Sequence, residues 1–213
     1  MPPRRDVFCA DAVEWLDGQT DESLPAVMTS LPDMSELDGV DSVPAYTAWL
    51  RRTAALCMRK VAPRGYCMFY QTDRRTGGEW VDKAGVLSSA ASDLGIPMRW
   101  HKIVHRREQP SSVDPLRPTY SPLLCFSKLG RPGRATPDVF FAGKPVYGNG
   151  AGVYAARFAA EFVKGHTQNA KVVDPFCGQG TFLAAANAVG LDAVGVDVSA
   201  EQVEKAKALV LQL

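Results

Sequence analysis

KVVDPFCGQGTFLAAANAVGLDAVGVDVS, residues 171–199, reads as one unit and decides the fold. An apolar run ends on Asp174. Gly178 and Gly180 follow, where the backbone must turn sharply and pass close to a ligand. From Thr181 the apolar residues are spaced as in a helix that stops at Gly190, and a second apolar run, DAVGVDV, ends on Asp197. Strand, glycine turn, helix, strand and acid make the order of a nucleoside-binding βαβ unit. Asp197 stands about 20 residues beyond the turn, the spacing at which a carboxylate reaches ribose hydroxyls. Gly-x-Gly alone is common in turns, so the complete order carries the reading. The turn is DPFCGQGT rather than G-x-G-x-x-G, which disfavours a dehydrogenase.

Outward from this unit, strands and helices alternate. DVFCADA and AVMTSL read as short buried strands. VPAYTAWLRRTAALCMRKVA reads as a helix closed by Pro63 and Gly65, and GYCMFYQ as the next strand. EWVDKAGVLSSAASDLG reads as a helix ending at Gly95. MRWHKIVH and YSPLLCFSK are two strands separated by a proline-rich loop, AGVYAARFAAEFVKG is an amphipathic helix, and Ser199 with Gln202 forms an S-x-x-Q capping box for the last helix. The alternation predicts an α/β, doubly wound, mostly parallel sheet with an antiparallel pair at one edge. There are no internal repeats and no low-complexity tract.

The chain has 213 residues, 46% hydrophobic and 22% charged, with a formal charge of +1, enough for one sizeable core. One domain over residues 1–213 is expected, with 1–128 and 151–213 as two halves joined by a short linker at 129–150. The first residues, MPPRRDVF, lack a signal-peptide core, and no apolar run is long enough to span a membrane, so an intracellular protein with no membrane partner is expected. Cys9, Cys57, Cys67, Cys125 and Cys177 form no CxxC pair and read as buried thiols. His101 and His105 have no third ligand nearby, and no metal is assigned. Residues 1–45 hold two Arg against ten acids, whereas residues 99–134 hold eight Lys or Arg against two. The second segment also carries Trp100 and Tyr120, a composition suited equally to phosphate contact with base stacking and to a solvated basic loop.

With DPFCGQGT, VFCADAVEWL, VMTSLPD, RWHKIVHRREQPSS and YSPLLCFSK in this order, the sequence resembles the S-adenosylmethionine-dependent amino-methyltransferases of the DNA methylase (N-4/N-6) type, whose cofactor signature is DPFxGxGT. The order matches that family's circularly permuted members, in which the catalytic motif precedes the cofactor motif. The resemblance covers nearly the whole chain. It implies a class I methyltransferase (Rossmann-like) sheet of seven strands, opened before the third, so that the last two strands of the sequence enter its middle. It implies S-adenosylmethionine as cofactor, held by Asp174, Pro175, Phe176, Gly178, Gly180, Thr181, Asp197 and Val198, with Asp197 on the ribose, the glycines admitting the methionine moiety, and Asp11, with Ala12 beside it, facing the adenine amine.

VMTSLPD, residues 27–33, lies where the family has its catalytic motif, written TSPPY or DPPY. The resemblance implies that the Ser30 hydroxyl and the Leu31 carbonyl accept the hydrogens of an exocyclic amine while Pro32 fixes the backbone, so that the lone pair points at the methyl carbon. Here Asp33 replaces the family's aromatic residue and Leu31 its first proline. Asp33 is read as a general base, a substrate hydrogen-bond acceptor, or an N-cap for the turn that follows. Full transfer by an Asp33→Ala protein would sink the active-site role. Between the last sheet strand and the cofactor half lies only LGRPGRATPDVFFAGKPVY, short for a base-reading domain. This favours nucleic acid recognised by shape, RNA before sequence-specific DNA, or recognition supplied by a partner subunit or a homodimer, with the loop from Arg106 to Arg117 over the substrate mouth. A small-molecule methyltransferase and a non-catalytic cofactor-binding subunit are the alternatives.

Overall fold

Alternating apolar residues give the central strands two buried faces, and covering both faces sets the architecture. The computed structural model describes residues 2–76, 78–107, 118–133, 135–148, 150–168 and 171–211. Its strands are β1 Arg5–Cys9, β2 Leu24–Thr29, β3 Val61–Tyr70, β4 Arg74–Thr76, β5 Glu79–Val81, β6 Met98–His105, β7 Tyr120–Phe126, β8 Val139–Phe141, β9 Lys171–Asp174 and β10 Asp192–Asp197. The helices are α1 Ala12–Asp17, α2 Val43–Lys60, α3 Lys83–Asp93, α4 Val153–His166, α5 Thr181–Ala188 and α6 Ala200–Ala208.

Among the described residues the main sheet has eight strands, in the order β1-β10-β9-β2-β3-β7-β6-β8, and β4 and β5 form a separate hairpin. The last two strands of the chain do enter the middle of the sheet. β1, β10, β9, β2 and β3 run parallel, and β7 is antiparallel to both β3 and β6. Ala26, Met28, Tyr66, Met68 and Tyr70 face the layer of α4, α5 and α6. Val27, Cys67 and Phe69 face the layer of α2 and α3. This period of two, with helices on both faces, is what makes the sheet doubly wound.

From β9 the chain proceeds through β10 toward β1, whereas from β2 it proceeds through β3 in the opposite direction. The strand order therefore reverses between β9 and β2. In an open α/β sheet the crevice outside the carboxyl ends of two such strands is where ligands bind. The turn after Asp174 and the segment after Thr29 both lie there.

The structure departs from the sequence expectations in short elements. A helix, α1, follows β1. Glu79–Val81, expected to begin a helix, pairs instead with Arg74–Thr76, and α3 starts at Lys83. The expected linker at 129–150 contains β8, which pairs parallel to β6 and makes an eighth strand beyond the antiparallel pair. Pro63 and Gly65 lie inside β3 rather than after the helix, at a register shift between Leu24 and Ala26. A Cβ on Gly65 would stand 2.3 Å from the Pro25 carbonyl oxygen, so only glycine fits the bulge. Ser199 Oγ accepts the Gln202 N–H at 3.4 Å, but Gln202 Oε1 is buried without a partner, so the capping box is half made. Cys9 is exposed, and the other four thiols are buried.

Candidate active site

The two segments of the crevice are joined by one bond. The Thr29 hydroxyl donates to Asp174 Oδ1 at 2.6 Å, linking the end of β2 to the end of β9. Asp174 is 1% exposed. Burial pushes its carboxyl up to about 7, and the nearby Asp197 charge adds to the rise; the Thr29 hydroxyl and the Phe176 N–H, 3.2 Å from Oδ1, oppose it. Pro175 is buried, and Phe176 packs edge-on against Trp49 of α2, ring centroids 5.9 Å apart, so both shape the turn from beneath.

The two glycines play different parts. Gly180 has φ +84°, and a Cβ there would stand 2.9 Å from the Ala206 Cα, so it lets the start of α5 close on α6. Gly178 has φ +50°, and a Cβ there would meet the Tyr147 hydroxyl at 2.9 Å. Only Gly178 borders a side chain that could move aside for a ligand. Tyr147 is missing from the sequence reading; its phenol is raised by burial first and then by the Asp174 charge, and the Thr181 hydroxyl beside it works the other way. Asp197 Oδ2 accepts the Gly178 N–H and Oδ1 the Ser199 N–H, each at 2.9 Å, so the acid fixes the shape of the turn. Val198 beyond it is 76% exposed. Thr181 Oγ1 is buried and, although near the Tyr147 phenol, forms no hydrogen bond of good geometry. Asp11 caps α1, with Oδ1 accepting from Val13 and Glu14 at 2.8 and 2.9 Å, and Ala12 is buried beneath the cap. β1 lies beside β10, with Cys9 opposite Asp197, which brings this cap to the same edge.

The segment after β2 is clamped residue by residue. Ser30 is half-buried, and its hydroxyl makes no hydrogen bond among the described residues. Leu31 is buried, and the Gln71 carboxamide grips its backbone twice: the Leu31 N–H donates to Oε1 and the Leu31 carbonyl accepts from Nε2, both at 2.9 Å. The carbonyl offered by the sequence as a substrate acceptor therefore has one lone pair engaged already. The Tyr46 hydroxyl donates to the Pro32 carbonyl at 2.8 Å. Burial, and after it the Asp33 charge, raises that phenol.

Asp33 is the N-cap of a 3-10 turn over Met34–Glu36, and its N–H donates to Glu36 Oε2 at 2.7 Å. Its carboxylate pairs with Arg74 at 2.9 Å and with the ammonium of Lys83, a buried side chain. Of the three roles open in the sequence, the cap is seen, and the ion pairs add a fourth. Gln71, Arg74 and Lys83 are 40, 41 and 50 residues from their partners. Gln71 follows β3, Arg74 opens β4 and Lys83 opens α3, so their polarity was the only signal in the sequence. The basic loop expected over this mouth falls largely at residues 108–117, outside the described residues. Among the described residues no group of His, Cys, Asp or Glu is placed to hold a metal ion, and no helix is long and apolar enough to cross a membrane.

No family model matches the sequence, and no curated protein does. Solved structures do match. TTHA0409 from Thermus thermophilus, a candidate DNA modification methylase, superposes with a TM-score of 0.73 at 20% identity, over 96% of this chain and 92% of that one. Its complex with S-adenosyl-L-methionine superposes with 0.72. The cytosine-N4-specific PvuII DNA methyltransferase gives 0.75 at 16% identity, over 100% and 89%. The M1.HpyAVI–SAM complex gives 0.63 at 15%, over 95% and 97%. The chain thus has the class I methyltransferase fold. The preference for RNA finds no support here: proteins described as DNA methylases have nearly this length, so the short segment before the cofactor half does not count against DNA.

Proposed function

We propose that this protein is an S-adenosylmethionine-dependent methyltransferase that modifies an exocyclic amine of a nucleic-acid base, in DNA before RNA, with residues 1–128 and 151–213 working as one domain. The observation that carries the reading is the Thr29–Asp174 bond, because it sets a cofactor-type glycine turn and a polar lip side by side at the switch point. The residues of the turn fit the cofactor. Gly178 carries no side chain and is bordered by the Tyr147 hydroxyl, Thr181 Oγ1 is a buried oxygen without a well-formed partner, and Asp197 is the acid that would receive ribose hydroxyls. The cofactor, when bound, supplies a methyl group on a cationic sulfur.

The lip's contribution is alignment. A base amine conjugated to its ring is a weak nucleophile, so its hydrogens must be held and its lone pair aimed. The Ser30 hydroxyl and the second lone pair of the Leu31 carbonyl are the acceptors. Gln71 and Tyr46 hold the peptide planes on either side, so the geometry is built before substrate arrives. With the cofactor bound, Ser30 and Leu31 would keep the amine's lone pair on the methyl group, and the proton that the amine gives up would pass to water. Asp33, held by two cations, shapes the lip rather than taking that proton.

The test is transfer of labelled methyl groups from S-adenosylmethionine to genomic DNA, total RNA and a metabolite extract, with Asp197→Ala as control. Label in DNA that disappears in the control is expected. Label confined to small metabolites would overturn the reading. The double pairing of Asp33 favours one rival, a cofactor-binding subunit without activity of its own, which predicts cofactor binding with label in none of the three.

A further inference from the structure

The hairpin of β4 and β5 leaves the carboxyl end of β3 beside the lip and returns to begin α3. Its foot is fastened. Asp73 accepts the Lys83 N–H at 2.9 Å, Arg74 and Lys83 both pair with Asp33, and Val81 is buried. The Thr72 and Ser121 hydroxyls share a 2.6 Å hydrogen bond that ties the foot to β7. Two-stranded hairpins are marginal in water by themselves, so this one depends on these ties.

Above the foot the hairpin faces solvent. Arg75 lies directly across from Trp80, its guanidinium carbon 5.6 Å from the indole centroid. Trp80 is 45% exposed. Many cross-strand pairs would hold the strands without leaving an indole in water. β6 runs parallel to β3, since both are antiparallel to β7, so Arg106 and Arg107 after β6 emerge on the same edge as Arg74 and Arg75. Four carboxylates nearby are engaged, Asp33 with its cations, Glu36 with the Asp33 N–H, Asp73 with the Lys83 N–H and Asp82 with the Gly85 N–H at 2.7 Å, while Glu79 faces solvent on the return strand. An aromatic face beside a guanidinium, at the sheet edge that carries the lip, has the chemistry that holds a single nucleic-acid strand: a ring for a base and a cation for a phosphate.

We infer that the β4–β5 hairpin is a nucleic-acid contact, in which Trp80 stacks on a base flanking the one delivered to the lip and Arg75 takes a phosphate of the same strand. The inference rests on the base-methylation reading above. Its ties through Asp33 make the hairpin and lip one rigid piece, so a strand gripped at Trp80 is registered against Ser30 and Leu31.

The experiment compares the wild type with Trp80→Thr, which keeps strand propensity without the ring, Trp80→Phe, which keeps a ring, and Arg75→Ala. Affinity for labelled single-stranded DNA, duplex DNA and single-stranded RNA is measured by fluorescence anisotropy over a range of salt. S-adenosylmethionine affinity and thermal melting serve as controls on folding, and KM and kcat for methyl transfer are measured in parallel. Trp80→Thr should weaken binding and raise the oligonucleotide KM about tenfold or more, with kcat and cofactor affinity held, and Trp80→Phe should restore most of the loss. Arg75→Ala should make the salt dependence shallower by about one. Wild-type affinity in the Trp80→Thr and Arg75→Ala proteins, alongside normal transfer by the wild type, would overturn the hairpin's role and leave the methylation reading standing. A wild type that binds cofactor but neither binds nor methylates any of the three nucleic acids overturns both.

Discussion

Asp174 has a carboxyl that burial carries up to about 7, against about 3.9 in an unfolded chain. Between about pH 4 and pH 7 the folded protein therefore holds a proton that the unfolded chain has released. Stability then falls as pH rises across that window, because the native state is the one binding more protons. The slope is at most about 1.4 kcal/mol per pH unit, and it vanishes above the folded value. Asp174→Asn keeps an acceptor for the Thr29 hydroxyl and removes the titration. The expected result is a wild-type melting temperature that declines relative to the variant from pH 4 to 7 and then runs parallel to it. Parallel curves throughout would mean that Asp174 ionises normally despite its burial. None of this was legible in DPFCGQGT. The motif located the acid, but the depth of its burial comes from β2, which is distant in the sequence.

Elements long enough to show a period were readable, and those that were not readable are short. α2, α4 and the β9-α5-β10 unit lie where the apolar spacing put them, because each repeats its pattern over several turns or is bounded by Gly or Asp. α1, β4, β5 and β8 each have six residues or fewer. In so short a span helical and strand periods look alike, and pairing with a distant strand decides the outcome. The lip was legible in position and not in its supports, since Gln71, Arg74 and Lys83 reach it only through the fold. The Asp33 carboxylate joins three elements there: the end of β2, the hairpin and the start of α3. Lys83 is buried, so Asp33→Ala leaves an uncompensated interior cation and should cost about 3 kcal/mol or more, read as a lower denaturant midpoint. Replacing both, as Asp33→Leu with Lys83→Met, should recover most of that loss, because a buried ion pair is often exchangeable for apolar groups. If the double variant is as unstable as Asp33→Ala, the cation is not the source of the cost. Stability recovered without transfer activity would separate the lip's chemistry from its scaffolding.

At the scale of the molecule, strand order and chain order are nearly independent. β1 is an edge strand in space, yet it pairs with β10, which closes the described sheet near the other end of the chain. The Arg5 guanidinium donates to the Ala206 carbonyl at 2.8 Å and to the Leu209 carbonyl at 2.6 Å, and the Arg4 N–H donates to Asp192 at 2.8 Å. Residues near the two ends of the described chain thus touch. The segment around Arg131 and Pro132, between β7 and β8, lies toward solvent. A protein joined from Leu213 to Met1 by a short Gly-Ser linker and opened between Arg131 and Pro132 would place the cofactor turn before the lip while leaving every pairing of the sheet intact. Moving one closure from the interior of the chain to its former ends changes loop entropy by on the order of 1 kcal/mol, because that cost grows only with the logarithm of loop length. The rearranged chain should therefore melt cooperatively and bind S-adenosylmethionine as the original does. If it folded but lost cofactor binding, the turn at Gly178 would depend on the β7–β8 connection as well as on the strands around it. If it failed to fold, the order in which the two halves are joined would itself be part of what specifies the sheet.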